Sequence, residues 1–288
     1  METLREILDP DFLLRNSVLV SLLVGFACPL VGVYLVLRRL VFMGVALPQV
    51  SSAGIAFAFS LPALGVVGHL HAGHFEGDER LLAFGGGLSF TLVAILLLAW
   101  FERKGRGAVE GRVGTLYALA GALSILLLVK NPLGERGLLD LLRGEIIAVS
   151  SLDLGLTAVS FAGVVMVLFL FRKEFQFVSF DPEMARTLRK NVLFWDCLLF
   201  VLIGITISIA TLSVGPLVTF GFLLLPAQIA YLFAGNMRQF SAIASCVGGV
   251  MAFVGFALAY RFDYPVGPSD IALLGVAYGL CAAVKRLI

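Results

Sequence analysis

Charge is scarce in this chain: 14% of its 288 residues are Asp, Glu, Lys or Arg, and the formal net charge is +2. So small a balance, with no basic groove interleaved by aromatics, excludes nucleic acid as a partner. Histidine is rarer still, with three residues, and the four cysteines, Cys28, Cys197, Cys246 and Cys281, form no CxxC pair. They read as small buried hydrophobes, not as a disulfide or metal framework. No GxxxxGK[ST] is present, so the chain has no phosphate-binding loop of its own for ATP. Neither GxSxG nor HExxH occurs, which leaves serine or zinc hydrolysis without local support. The chain therefore reads as non-enzymatic and as binding no cofactor itself.

Apolar residues fill the space. They make up 60% of the chain, and the mean hydropathy is +1.01, far from a soluble domain of ordinary composition. The fold class that follows is an all-α polytopic membrane bundle, one domain over 1–288. A crossing needs about 20 apolar residues, and nine stretches meet that measure: 16–37, 50–68, 81–101, 113–129, 152–171, 192–212, 215–234, 239–260 and 270–284. The METLREILDP start lacks a basic leader, and the first run is too long for a signal-peptide core, so it is expected to remain as a span. Alternate connections hold 14 and 6 of the Lys and Arg residues, with Arg143 unassigned. By the positive-inside rule the N-terminus then lies outside and the C-terminus in the cytoplasm. Small residues recur within spans, at Gly85 to Gly87, Gly114, Gly121, Gly248, Gly249 and Gly255, and favour close helix packing. Pro48 at the start of the second span, and Pro216 and Pro226 around the seventh, predict kinked or broken helices.

One strongly polar interruption stands out, Phe171 to Asn191, FRKEFQFVSFDPEMARTLRKN. Asp181 can cap free N–H groups, Pro182 suits the first helical position, and Glu183 places negative charge at the positive end of the dipole. A short helix is predicted from Asp181 to about Lys190. Its cations Arg172, Lys173, Arg186, Arg189 and Lys190 belong on the cytoplasmic side.

Three groups carry possible chemistry. His69, His71 and His74 share one outward loop with Glu76, Asp78 and Glu79, a donor set that suits zinc or another transition metal, although so polar a loop is equally well simply solvated. Asp196 is an ionisable group at the cytoplasmic end of the sixth span, read either as part of a substrate path or as a partner for Arg189 or Arg238. Arg143 and Glu145 read as a structural pair near the outer end of the fifth span.

Several ordered stretches resemble the permease family of ABC-type divalent-metal (zinc, manganese, iron) importers. They are RRLVFMG (Arg38 to Gly44), GEIIAVSSLDL (Gly144 to Leu154), the FDPEMA of the polar segment, VGPLVTFGFLLLPAQIA (Val214 to Ala230) and DYPVGPSDI (Asp263 to Ile271). The resemblance implies a homodimeric permease in the bacterial cytoplasmic membrane, with ATP hydrolysed on a separate ATPase subunit and cargo delivered by an external substrate-binding protein. It also implies that Phe180, Asp181, Pro182, Glu183, Ala185 and Arg186 form a coupling helix. The chain departs from the family pattern where that pattern carries ligands. Val45 stands where the family has Asp and Gln49 where it has His; Gln228 replaces a small residue, and Arg189 replaces a glycine. Gln49 and Gln228 are amides on the expected substrate path, and amide oxygens are poor zinc ligands beside imidazole or carboxylate. Transport of a free metal, transport of a metal chelate and a membrane scaffold without transport remain three distinct expectations.

Overall fold

The computed structural model describes residue 12 and residues 14–61, 76–103, 109–129 and 149–287. Among the described residues all regular structure is helical. Ten helices follow in order: α1 (Arg15–Leu37), α2 (Val41–Ser60), α3 (Glu76–Arg103), α4 (Val109–Val129), α5 (Ser151–Leu170), α6 (Arg172–Phe180), α7 (Pro182–Thr187), α8 (Val192–Phe233), α9 (Met237–Phe262) and α10 (Val266–Leu287). The histidines 69, 71 and 74, and the Arg143–Glu145 pair, lie outside the described residues.

Burial sorts the helices into layers. The apolar windows of α1 and α2 are each 72% buried, against 28% for α5 and 22% for α10. Helices this apolar on every side sit at the centre, while those of the outer ring show one face to lipid. The α8 helix packs on α1, α2, α3, α5, α9 and α10, and so forms the hub. Some hydroxyls in this interior are satisfied within their own helices, as where Thr206 donates to the Leu202 carbonyl at 2.8 Å and Thr91 to Gly87 at 2.7 Å. Others join helices: Ser52 meets Ser124 at 3.1 Å between α2 and α4, and Thr157 meets Ser213 at 3.1 Å between α5 and α8.

Seven of the described helices are long and apolar enough to cross a membrane, where nine spans are expected from sequence. The sixth and seventh expected spans run on as the 42-residue α8, and α4, over the fourth, is not one of the seven. The second lies earlier than expected, at Val41–Ser60, with Pro48 inside it; neighbouring helices cover the backbone that proline leaves unpaired. A straight helix of α8's length would reach about 63 Å, twice a hydrocarbon core of about 30 Å. Gly215 resolves the mismatch, at φ 79° and ψ 166°, a backbone state that a residue with a Cβ rarely adopts. Both ends of α8 then rest against the same end of α1. Asp196 bonds Arg38 there, and Ala227 and Ala230 cluster with Val33. The opposite end gathers Asn16, which donates to the Val149 carbonyl at 3.2 Å, and Val18 with Phe256 and Val266. These are called below the Arg38 end and the Arg15 end.

Close approach needs glycine at the α2–α3 crossing. A Cβ on Gly54 would fall 2.8 Å from that of Phe90 and against the Gly86 carbonyl, and one on Gly86 would fall 2.8 Å from the Cβ of Ala58. Gly54→Leu is expected to cost about 3 kcal/mol by overpacking, read as a lower melting temperature and loss of monodisperse protein. The cysteines depart from the sequence expectation: Cys28 is buried, but Cys197 and Cys246 are exposed on outward helix faces. A sulfhydryl tolerates lipid as readily as protein interior.

Candidate functional site

The polar segment is built as two short helices hinged at Asp181, attached to the Arg38 end of the bundle. In α6 the apolar residues Phe175 and Val178 turn inward and are buried, while the charged Lys173 and Glu174 stay nearer solvent. Phe175 meets Tyr34 of α1 with ring centroids 6.1 Å apart and Trp195 of α8 at 5.7 Å, edge to face. Phe171 packs on the same Trp195 at 5.3 Å. Aromatic contacts of this geometry add about 0.5–1.5 kcal/mol each beyond their buried area. They form a knuckle joining α1, α6 and α8.

Arg38 locks the knuckle. Its Nη1 lies 2.7 Å from Asp196 Oδ1, and its Nε donates to Ser179 Oγ at 2.9 Å. The Arg38 side chain is 13% exposed and that of Asp196 32%, so the pair is shielded enough for its charges to be felt. One guanidinium thus ties the end of α1 to both α6 and the start of α8. The sequence reading paired Asp196 with Arg189 or Arg238; the structure gives it Arg38 instead, because α1 and α8 reach the same end of the bundle.

Beyond this joint, α7 starts as expected. Asp181 Oδ1 accepts from the Met184 N–H at 2.8 Å, Pro182 occupies the first turn, and Glu183 follows it. The helix ends sooner than the expected Lys190, at Thr187. Arg189 takes φ 55°, and the Lys190 N–H closes back on the Ala185 carbonyl at 3.0 Å. That is the bonding of a C-terminal cap with a left-handed residue, a place glycine fills most easily. Arg189→Gly is expected to stabilise the segment by up to about 1 kcal/mol, since the left-handed penalty of about 1–2 kcal/mol outweighs glycine's added chain entropy. Slower hydrogen exchange at the Lys190 amide would show it.

Ala185 is the single buried residue of α7, seated with Val178 and Val192 under Phe177 and Trp195. The other side chains of the segment project outward. Phe180 at the end of α6, Met184 on α7 and Leu188 just past it stand four apart in sequence with exposures of 63%, 50% and 61%, flanked by Arg186, Arg189 and Lys190. Large exposed apolar groups rimmed by charge, on a segment too polar for lipid, are the kind of surface another protein can cover.

Elsewhere the residues expected on a substrate path stay apart. Gln49 lies half-buried in α2 with its amide against Gly121 of α4, one turn from Val45 and near the Ser52–Ser124 bond. Gln228 lies in the second half of α8, near the Arg38 end, and Asp196 is engaged by Arg38. Among the described residues no hydrogen bond links these three, and no group of three or more His, Cys, Asp or Glu side chains is placed to hold a metal. Sequence reasoning gave no role to Asp270, whose carboxylate is fully buried in α10 against Gly255, with neither oxygen partnered among the described residues. It also missed α6 as a helix, although the inward Phe175 and Val178, spaced three apart among charges, carried that signal.

A bundle of apolar helices that crosses a membrane several times and holds out one capped, polar arm defines an integral membrane protein of the permease class. The chain belongs to the ABC 3 transport family, whose description matches residues 11–285. It is 30% identical to an uncharacterized membrane protein of Synechocystis, over 99% of this chain and 95% of that one. It is 25% identical to the manganese transport system membrane protein MntC of Listeria monocytogenes, over 92% and 88%. It is 26% identical to a probable iron transport system membrane protein of Haemophilus influenzae, over 95% and 90%. Among solved structures, PsaBC from Streptococcus pneumoniae in complex with Fab shares the fold at TM-score 0.82 and 23% identity, over 97% of this chain and 94% of that one. An inward-facing conformation of a putative metal-chelate type ABC transporter superposes at TM-score 0.70 and 18% identity, over 93% and 85%.

Proposed function

We propose that the chain is the membrane permease of an ATP-driven importer of divalent metal ions such as manganese, zinc or iron. The arm at 171–191 is its coupling segment, and the exposed apolar trio Phe180, Met184 and Leu188, set before, on and just after the Asp181-capped α7, is the observation that carries this reading. ATP is hydrolysed on a separate ATPase subunit that grips this trio, with Asp181 and Pro182 fixing where α7 begins and Ala185 fixing where it sits. Closure of two ATPase subunits displaces α7, and the aromatic knuckle with Arg38 passes the movement to α1 and α8. Rigid linkage suits such a lever, since packed helices shift as bodies and do not bend continuously. A second copy of the chain completes the pathway, and a substrate-binding protein delivers cargo at the Arg15 end. The Arg38 end faces the cytoplasm of a bacterial inner membrane, because the excess of Lys and Arg belongs there; α1 then starts outside and α10 ends inside. The metal preference draws on the manganese and iron systems named among the relatives.

A metal chelate is a second reading, favoured by the neutral stripe of Val45, Gln49, Ser52 and Ser124 between α2 and α4. Neutral hydroxyls and amides solvate a coordinated complex more readily than they strip and hold a bare cation. Both readings are tested by co-reconstituting the permease and its ATPase in vesicles, adding the substrate-binding protein on the Arg15 side, and supplying radiolabelled manganese, zinc or iron there with or without a chelator. ATP-dependent uptake of free ion supports the first, uptake only with a chelator supports the second, and no ATP-dependent uptake of either form overturns both.

A further inference from the structure

A groove of about 540 Å³ opens on the outside of the bundle between α1, α5 with the start of α6, and α9. That volume falls in the range of sites that enclose small molecules, roughly 300–1,000 Å³. Its two ends differ chemically. At the Arg38 end it is walled by Arg172 and Arg238, with Gln176 and Ser241 beside them. Further in, the walls are Phe26, Leu30, Val165 and Leu168, and the groove reaches Cys246, two turns along α9 or about 12 Å from Arg238. The one hydroxyl at depth, Ser245, is occupied by its bond to the Phe26 carbonyl at 2.9 Å.

The charge in the groove is unbalanced. No Asp or Glu lines it, and among the described residues neither arginine has an acidic partner. Arg172 is instead stacked on Phe169, its Cζ 5.2 Å from the ring centroid, which holds the guanidinium over the groove's rim. A cationic rim opening directly onto an apolar slot, on the outer side of an apolar helix bundle, matches one occupant in charge and in polarity. We propose that this groove binds an anionic phospholipid, its phosphate between Arg172 and Arg238 and one acyl chain along Leu30, Val165 and Leu168. Arginine suits the head because its planar donors engage phosphate oxygens in pairs. Basic pockets between helices at a membrane face recognise anionic headgroups by the same chemistry. The site touches α6, α9 and α1 at once, so an occupied groove braces the base of the arm. The proposal does not depend on the cargo.

The full chain is incorporated in mixed vesicles of phosphatidylglycerol and phosphatidylcholine, extracted, and weighed with its retained lipid by native mass spectrometry. Wild type is expected to keep phosphatidylglycerol in preference to phosphatidylcholine. Arg172→Gln with Arg238→Gln is expected to lower that retention about tenfold or more, and the double lysine variant to keep part of it. Ala242→Phe leaves both arginines and fills the slot from its exposed wall, and it is expected to lose the lipid as well. If one variant misfolds, the other decides. Equal retention of the two lipids by wild type, or unchanged retention in a folded variant, overturns the proposal. So does release of the lipid by millimolar inorganic phosphate, which would mark a simple anion site. A changed oligomeric state in Ala242→Phe with lipid retention intact would assign the face to a second copy and overturn it too.

Discussion

Replacing Met184 and Leu188 together by aspartate is expected to abolish ATP-driven transport while leaving the permease folded and inserted. Both side chains are largely exposed, at 50% and 61%, so the isolated chain loses little burial when they change. The buried anchor of the same helix, Ala185, is untouched, and so is the Asp181 cap. At a docked surface the accounting differs: an apolar anchor is worth about 2 kcal/mol or more, and each 1.4 kcal/mol is a factor of ten. Two such losses weaken ATPase docking by roughly a thousandfold, even before the new negative charges are desolvated. Co-purification of the ATPase with the permease, and uptake by the reconstituted pair, read the two consequences separately. Full uptake by the double variant would remove the docking role of these side chains. Asp181→Ala is the graded companion, since a lost cap costs only ~1 kcal/mol and should slow transport without releasing the ATPase.

Arg38→Ala carries the second large effect, this time on the permease itself. It leaves Asp196 without its cation and Ser179 without its donor, and severs the polar link from the end of α1 to both α6 and α8, leaving the aromatic knuckle alone to join them. Removing one partner of a fully buried pair costs about 3–5 kcal/mol, largely the penalty of the charge left behind. With Asp196 32% exposed, water recovers part of that, so a loss of about 2 kcal/mol is expected. Arg38→Met combined with Asp196→Asn should regain most of the stability, because no stranded charge remains. Transport should stay low in that double variant, since the joint no longer fixes α6 to α1 and α8. Thermal melting in detergent measures the first expectation and vesicle uptake the second. If the double variant both melts and transports like wild type, the pair has neither role.

The local features of the arm were legible because their causes are local. Asp181, Pro182 and Glu183 specify a helix start by hydrogen bonding and ring geometry within four residues, and the structure begins α7 there. Its end was misplaced by three residues because Arg189 is a poor residue for the left-handed turn it adopts, and side-chain type alone pointed onward to Lys190. The number of crossings was legible only in part. Two apolar runs on either side of Gly215 look alike whether the chain bends gently or reverses; contacts with Val33 and Arg38 reveal that both ends of α8 return to one place.

By itself the sequence determined the class of the molecule, since a chain so apolar must put most of its surface into lipid and every backbone group into a helix. It also determined where the chain cannot stay in lipid, at 171–191, because charges that dense are too costly to bury. Only the tertiary structure decided which side chains meet: Arg38 with Asp196 across 158 positions, Gly54 with Gly86, and two arginines together over one apolar groove. Such pairings depend on how helices pack, and in a membrane that is set by close-fitting surfaces and not by a hydrophobic pattern, which every one of these helices shares.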